Sequence, residues 1–287
     1  MIHQSIKKDL TSPALVSTSK TELENCPICG EPIGKIVHML GKNYIVPRAC
    51  KCKREEQEKL NKIGKLRERQ MKLDSMFKNS LMTKEFRKIT FSVWDHNKGS
   101  EHMYRLGIKY IRDFSRALKE NIGLLIYGVP GNGKTYLSSC IANELLSKSI
   151  PVVCVSSIGL LDRIKESFNK YGDEGTQSIL KCLDNADLVI IDDLGVEVNT
   201  EWSRATIYQI LNSRYEKKKP LIITTNLTLE QLKKRYDQDC QGWEKGQGRT
   251  FDRFVNEMCQ PIENSKPSIR IQNGKEKAAI LNEILNK

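Results

Sequence analysis

The octet Gly128-Val129-Pro130-Gly131-Asn132-Gly133-Lys134-Thr135 constrains this chain more than any other stretch. It fits the pattern G-x-x-x-x-G-K-[ST]. It also stands in the required context, between an apolar run at Gly123–Tyr127 and a helical period that begins near Lys134. Glycines there let backbone N–H groups turn inward around a β-phosphate. The helix start adds the positive end of its dipole. Lys134 is placed to reach the β- and γ-phosphates of ATP, and the Thr135 hydroxyl to ligate Mg²⁺. Tyr136 follows directly and belongs to the same nucleotide-binding set as Gly128 through Thr135.

A strand–loop–helix unit of this kind needs a parallel sheet around it, and the sequence supplies one. Apolar runs at Gly123–Tyr127, Val152–Val155, Leu188–Ile191 and Leu221–Thr225 are nearly unbroken, as strands buried on both faces are. Helical periods separate them: Leu137, Ile141 and Leu145; Leu160, Leu161, Ile164 and Phe168; Trp202, Ile210, Leu211 and Tyr215. Alternating strands and helices predict an α/β domain with helices on both faces of the sheet.

Ligands of such sheets gather at the carboxyl ends of the strands, and polar residues wait there. The run Asp187–Asp193 ends in two carboxylates. Asp192 is expected to hold Mg²⁺ through water. Asp193 is expected to orient or deprotonate the attacking water. Many chains of this architecture carry Glu at the second position; Asp is one methylene shorter. The run Leu221–Thr225 leads into Asn226, whose neutral amide can bind that water without adding charge.

Composition fixes the broad class. The chain has 287 residues, 29% charged and 39% hydrophobic, as a folded globular protein does. No run approaches the ~20 apolar residues of a membrane span. The first residues lack the apolar stretch of a signal peptide, so a cytoplasmic protein is expected. The formal net charge is +12, of which residues 1–90 contribute +9 (19 basic, 10 acidic) and residues 91–287 contribute +3 (28 basic, 25 acidic). A basic N-terminal third suits a polyanion or an acidic protein partner; a solvated basic helix is the plainer alternative.

Five of the nine cysteines are scattered and read as small apolar residues: Cys140, Cys154, Cys182, Cys240 and Cys259. The other four form C-x2-C-x20-C-x-C: Cys26, Cys29, Cys50 and Cys52. Gly30 trails the first pair and can take a positive φ, which frees backbone N–H groups to bond thiolates. Between the pairs, residues 36–46 read as a β-hairpin. A four-thiolate Zn²⁺ ribbon is expected, structural and closed to catalysis, with His38 as an alternative to Cys50 or Cys52. So short a segment needs a metal to fold.

The expected organisation is a loosely attached N-terminus (1–25), the zinc module (26–52) and a basic helical linker (53–90). A nucleotide-binding domain (91–272) and a helical tail (273–287) complete it. In the linker, Leu60, Ile63, Leu66, Leu73 and Phe77 form a weak apolar stripe interrupted by Gly64.

Taken together, GVPGNGKT, LVIIDDLG, RYEKKKPLIITTN, GRTFDRF and KPSIR resemble the AAA+ helicase loaders of bacterial replication, the DnaC/DnaI type, including phage and mobile-element versions. IstB-type transposition ATPases share much of the pattern. The resemblance covers about Phe91 to Arg270. It implies an AAA+ P-loop ATPase domain that binds ATP or ADP. It also implies a replicative DnaB-type helicase and single-stranded DNA as partners, and self-association into an AAA+ oligomer. Arg253 falls at the family's arginine finger, reaching the γ-phosphate of a neighbouring subunit, with Arg249 and Arg214 as rivals. Arg270 falls at the sensor position that contacts nucleotide within its own subunit. In this family the N-terminal part grips the helicase.

Competing readings are an IstB-like transposition regulator and a zinc-containing DNA-binding adaptor whose nucleotide site is only structural. A DnaA-like initiator is disfavoured, since 17 residues after Arg270 are too few for a helix-turn-helix domain. A metabolic kinase is disfavoured because the C-terminal part matches finger and sensor elements, not an acceptor lid.

Overall fold

The computed structural model describes residues 23–76, 85–236, 251 and 253–285. Residues 1–22, Phe77, Cys240 and Arg249 lie outside them, as do the side chains of Asp252, Arg253 and Gln272. The chain divides into two compact units, residues 1–65 and 66–287.

In the first unit, β1 (Gly34–Met39) pairs antiparallel with β2 (Lys42–Pro47). The two-residue turn Leu40-Gly41 has positive φ at both positions, 50° and 72°. That is the turn whose twist matches a hairpin. A helix, α1 (Lys51–Met76), follows the hairpin and passes Gly64 without a break. Glu31 anchors its start, accepting from Arg54 at 2.8 and 3.0 Å and from the Lys51 N–H. The expected stripe on this helix is only partly buried: Leu73 is buried, whereas Leu60 and Ile63 are exposed.

The second unit is built on a five-stranded parallel sheet. Its strands are β3 (Gly123–Tyr127), β4 (Val152–Ser156), β5 (Leu188–Asp192), β6 (Leu221–Thr225) and β7 (Cys259–Glu263). Their order is β4-β5-β6-β3-β7. The four expected strands are all present. The fifth, β7, carries Gln260, Pro261 and Glu263 and has no apolar run to announce it. Pro261 is tolerated because β7 lies at an edge.

Helices cover both faces, so successive strand residues point into two different cores. Leu124, Ile126, Cys154, Ile190 and Ile222 face α2 (Glu101–Arg112), α3 (Phe114–Lys119) and α4 (Lys134–Ser147). Leu125, Val153, Val155, Ile191 and Ile223 face α5 (Ser157–Asn185), α6 (Glu201–Glu216) and α7 (Leu229–Tyr236). Each such side chain contributes about 1.5–3 kcal/mol on burial. α5 is kinked at Gly172, which has φ 60° and ψ −147°. Beyond β7, α8 (Ile269–Leu285) crosses the boundary expected at residue 272 as one helix.

Two expected core positions, Phe168 and Trp202, are exposed instead. Each lies at the margin of its helix's apolar stripe, where a small turn of the helix carries a side chain into water. The scattered thiols behave as apolar groups. Cys140, Cys154, Cys182 and Cys259 are buried, and burial pushes Cys140 up to about 12 and Cys182 up to about 11.

Edge strand β4 is closed by a side chain. Gln70, in the last turns of α1, accepts from the Val152 N–H at 2.8 Å and donates to the Val152 carbonyl at 3.0 Å. One amide thus replaces one residue of a missing strand.

Candidate nucleotide site and cysteine cluster

The loop between β3 and α4 depends on backbone that only small residues allow. Gly131 has φ 80°, and a Cβ there would lie 2.5 Å from Ser268 Oγ and 3.1 Å from the Arg270 side chain. The C-terminal segment therefore lies directly over the loop. The Ile269 N–H donates to the Gly131 carbonyl at 2.8 Å.

Lys134 is buried. Its ammonium donates to the carbonyls of Gly128 and Val129 at 2.8 and 2.9 Å and to Asn132 Oδ1 at 3.1 Å. Burial lowers its pKa, opposed by the charges of Asp193 and Asp192. Thr135 Oγ1 donates to Asp192 Oδ2 at 3.0 Å, and Thr224 Oγ1 donates to Asp192 Oδ1 at 2.6 Å. Burial pushes the Asp192 carboxyl up, while the two hydroxyls pull it back. Asp193 has left-handed backbone, φ 51°. Its N–H donates to Thr224 Oγ1 at 2.9 Å, and its carboxylate accepts from Asn226 Nδ2 at 3.2 Å.

These residues come from separated stretches of chain yet border one cleft of about 340 Å³. Pro130, Gly131, Lys134, Thr135, Asp193, Asn226 and Arg270 line it, and Asp192 lies behind Thr135. A second, apolar cavity of about 180 Å³ adjoins it, walled by Trp94, Met103, Tyr136 and Ile269. Gly133, Tyr136 and Ile269 border both.

Of the three arginines considered as fingers, Arg214 is removed by the structure. It is fully buried at the opposite end of the strands, where it donates to the carbonyls of Leu183, Ala186 and Pro220 at 3.0, 2.8 and 2.8 Å. Burial pushes it down to about 10, opposed by Asp184 and Asp187, so it stays charged at neutral pH as a structural tie. Arg253 opens a π-helical turn, Arg253–Met258, whose Phe254, Val255 and Met258 enter the core.

Sequence reasoning missed Asn264. Its buried amide donates to the Asn132 carbonyl at 2.9 Å, and Asn132 Nδ2 donates back to the Asn264 carbonyl at 2.6 Å. The Asn264 N–H also extends the sheet by donating to the Tyr127 carbonyl at 2.8 Å. No local motif marks this residue, because its partner lies 132 positions away. Asn264→Ala leaves the buried Asn132 carbonyl short of a donor, at a cost of about 1–2 kcal/mol. We expect it to weaken ADP binding by on the order of ten-fold, as read by titration of a fluorescent ADP analogue, with the Lys134 side chain still in place.

In the N-terminal unit the four sulfurs of Cys26, Cys29, Cys50 and Cys52 lie within 4.8 Å of one another. The contacts Cys26–Cys52, Cys50–Cys52 and Cys29–Cys52 measure 3.5, 3.2 and 3.6 Å. A tetrahedral thiolate site with Zn–S near 2.3 Å places its corners about 3.8 Å apart, so the donors and their spacing fit Zn²⁺. Gly30 takes the expected positive φ of 69°. Backbone N–H groups of Cys29 and Ile28 lower Cys26 to about 6, while hydrogen bonds to Cys50, Cys26 and Cys29 push Cys52 up to about 12. His38 is not part of the cluster. It sits across the hairpin from Asn43, with Nδ1 2.9 Å from Asn43 Oδ1.

The family model described as IstB-like ATP binding protein matches residues 56–277. The chain belongs to that family. Among curated proteins, this IstB-like chain is 32% identical over 127 residues to the replicative helicase loader DnaC of Escherichia coli strain K12, covering 44% of the chain and 50% of that protein. It is 25% identical over 181 residues to DnaC of Buchnera aphidicola subsp. Acyrthosiphon pisum, covering 62% of the chain and 72% of that protein. The chain thus spans half the length of the Escherichia coli relative. The crystal structure of DnaI superposes with a TM-score of 0.51 at 24% identity, covering 64% of this chain and 95% of that one. AMPPCP-bound DnaA from Aquifex aeolicus gives 0.50 at 20% identity, covering 68% and 56%. The α/β unit of the IstB-like chain therefore has the AAA+ fold. Among the described residues, no helix is long and apolar enough to cross a membrane.

Proposed function

We propose that this chain is an ATP-dependent loader that delivers a DnaB-type replicative helicase to single-stranded DNA, with MgATP hydrolysis as its switch. One observation carries the reading. A P-loop lysine, two carboxylates, an amide and an arginine from four separated segments converge on or directly behind one cleft, in a chain similar to curated helicase loaders.

The roles follow from the chemistry of each group. The apolar cavity beside Tyr136 suits a flat base. Loop amides from Gly128 through Lys134 hold the phosphates, and Lys134 leaves its loop carbonyls to neutralise them. Mg²⁺ supplies charge neutralisation at the phosphate oxygens; Thr135 and Asp192 offer the hard oxygen donors it takes. Asp193, steadied by Asn226, directs the attacking water. Arg270 senses nucleotide in its own subunit. Arg253 is the finger for a neighbour's γ-phosphate, which makes a self-associated form the active one. The four-cysteine module at 26–52 and the basic helix after it serve as the grip on the helicase, and the cytoplasm is where such a partner resides.

The IstB-like family model favours a second reading, transposition regulation. Affinity purification from the host, with and without ATP, separates the two. Recovery of a replicative helicase is the expected result. Recovery of a transposase, with no helicase, would overturn the loader reading in favour of the second.

A further inference from the structure

Glu197 is a buried carboxylate with no role in the chemistry above. It closes the loop that leaves β5 after Asp193. Its Oε2 accepts from the Gly195 N–H at 2.8 Å, and its Oε1 accepts from the Tyr236 hydroxyl at 2.6 Å and faces Arg235 Nε at 3.4 Å. The Arg235 guanidinium also donates to the Glu197 carbonyl. Ser157 completes the surround. Its hydroxyl donates to the Asp193 carbonyl at 2.9 Å and also lies beside the Glu197 carboxylate. Burial acts to raise Glu197, yet the Tyr236 hydroxyl, the N–H groups of Glu197 and Gly195 and the Ser157 hydroxyl outweigh it and hold the carboxyl below its usual range.

We infer that Glu197 is a positioning residue for Asp193: it binds the Asp193–Glu197 loop to the end of α7 and so fixes the direction in which the Asp193 carboxylate points. The reason is backbone strain. Asp193 sits in the left-handed region, a conformation that persists only where the surroundings over-determine it. Thr224 and Ser157 pin its N–H and carbonyl. Past Leu194, the loop next meets a fixed group at Glu197. A carboxylate held from two elements, and itself buried, cannot swing with solvent. Without it the bonds of Asp193 to Thr224 and Ser157 and those of Leu194 to Thr224 and Thr225 remain, but the loop from Gly195 onward loses its tie to α7, and the turn that aims the Asp193 carboxylate can shift.

This inference rests on the reading of Asp193 as the water-directing group, and the test separates the two. Full-length Glu197→Ala, Asp193→Asn and the double variant are compared for ATP hydrolysis and for affinity toward a fluorescent ATP analogue. A small misplacement of a catalytic group costs on the order of 10- to 100-fold, so Glu197→Ala should lose that much kcat with nucleotide affinity unchanged. Glu197→Gln, which keeps an acceptor for the Gly195 N–H, should recover part of the loss. In the Asp193→Asn background Glu197→Ala should cost nothing further, because both act through one group. Losses that multiply would overturn the inference, as would a Glu197→Ala chain that hydrolyses ATP like the parent. Hydrolysis by Asp193→Asn at the parental rate would instead overturn the role of Asp193. If Glu197→Ala does not fold, Tyr236→Phe removes a single contact and carries the same cycle.

Discussion

Asp193→Asn is expected to bind MgATP as tightly as the parent chain and to hydrolyse it slower by a factor on the order of 10² or more. Binding survives because Lys134, the loop amides, Thr135 and Asp192 are untouched. Turnover is expected to fail because the neutral amide cannot take the water's proton and brings no charge to hold the water in line for attack. Lys134→Ala should do the opposite and abolish binding, since the proposed reading has this buried ammonium leave its loop carbonyls for the phosphates. Equilibrium binding and single-turnover hydrolysis, measured on both variants, check the pair. Equal hydrolysis by Asp193→Asn and the parent would remove Asp193 from the chemistry. Hydrolysis by the parent chain, measured alone and with helicase or single-stranded DNA added, is the expected result and would dispose of the adaptor reading; a site used only for structure would show none.

The second large effect is expected at the cysteines. Freshly purified protein should carry about one Zn²⁺ per chain, and a structural Zn²⁺ of this kind contributes apparent binding free energy on the order of 10 kcal/mol to folding. Cys26→Ser or Cys52→Ser should lose the metal and the order of the hairpin around it, together with binding to the helicase. ATP affinity should stay, because residues 66–287 form their own compact unit. Metal analysis, with hydrogen exchange on residues 34–47, reads both halves. Protein free of zinc as isolated would sink the prediction.

Much of this was legible in the sequence because the chemistry is local. The octet at Gly128–Thr135 needs its residues in a row, and four strands announce themselves because both their faces are buried. Asp193 and Asn226 stand just past the ends of unbroken apolar runs that follow the phosphate loop, and that context marks them. Residues 36–46, between the cysteine pairs, read as a hairpin, and the hairpin is there. Illegible features were those created by folding itself. Strand β7 is an edge with a proline and two polar residues, so nothing in its composition demands burial. Asn264 and Glu197 matter through partners distant in sequence. Arg214, a rival for the finger role in the sequence, is instead a fully buried cation, because the carbonyls that receive it come from segments between Leu183 and Pro220.

The amide of Gln70 at the start of β4 has a consequence for how this molecule lives among copies of itself. An open sheet edge is a template on which a second chain can grow. Here the outer N–H and C=O of Val152 are already spent on a side chain. A stranger's strand must first evict a helical turn that Leu73 and the Arg69–Asp187 ion pair also hold down. A loader of the kind proposed, with its active site completed by a neighbouring copy, would gain from this: at the start of β4, the route to fibre-like stacking is blocked by one glutamine, and association is left to faces that can let go.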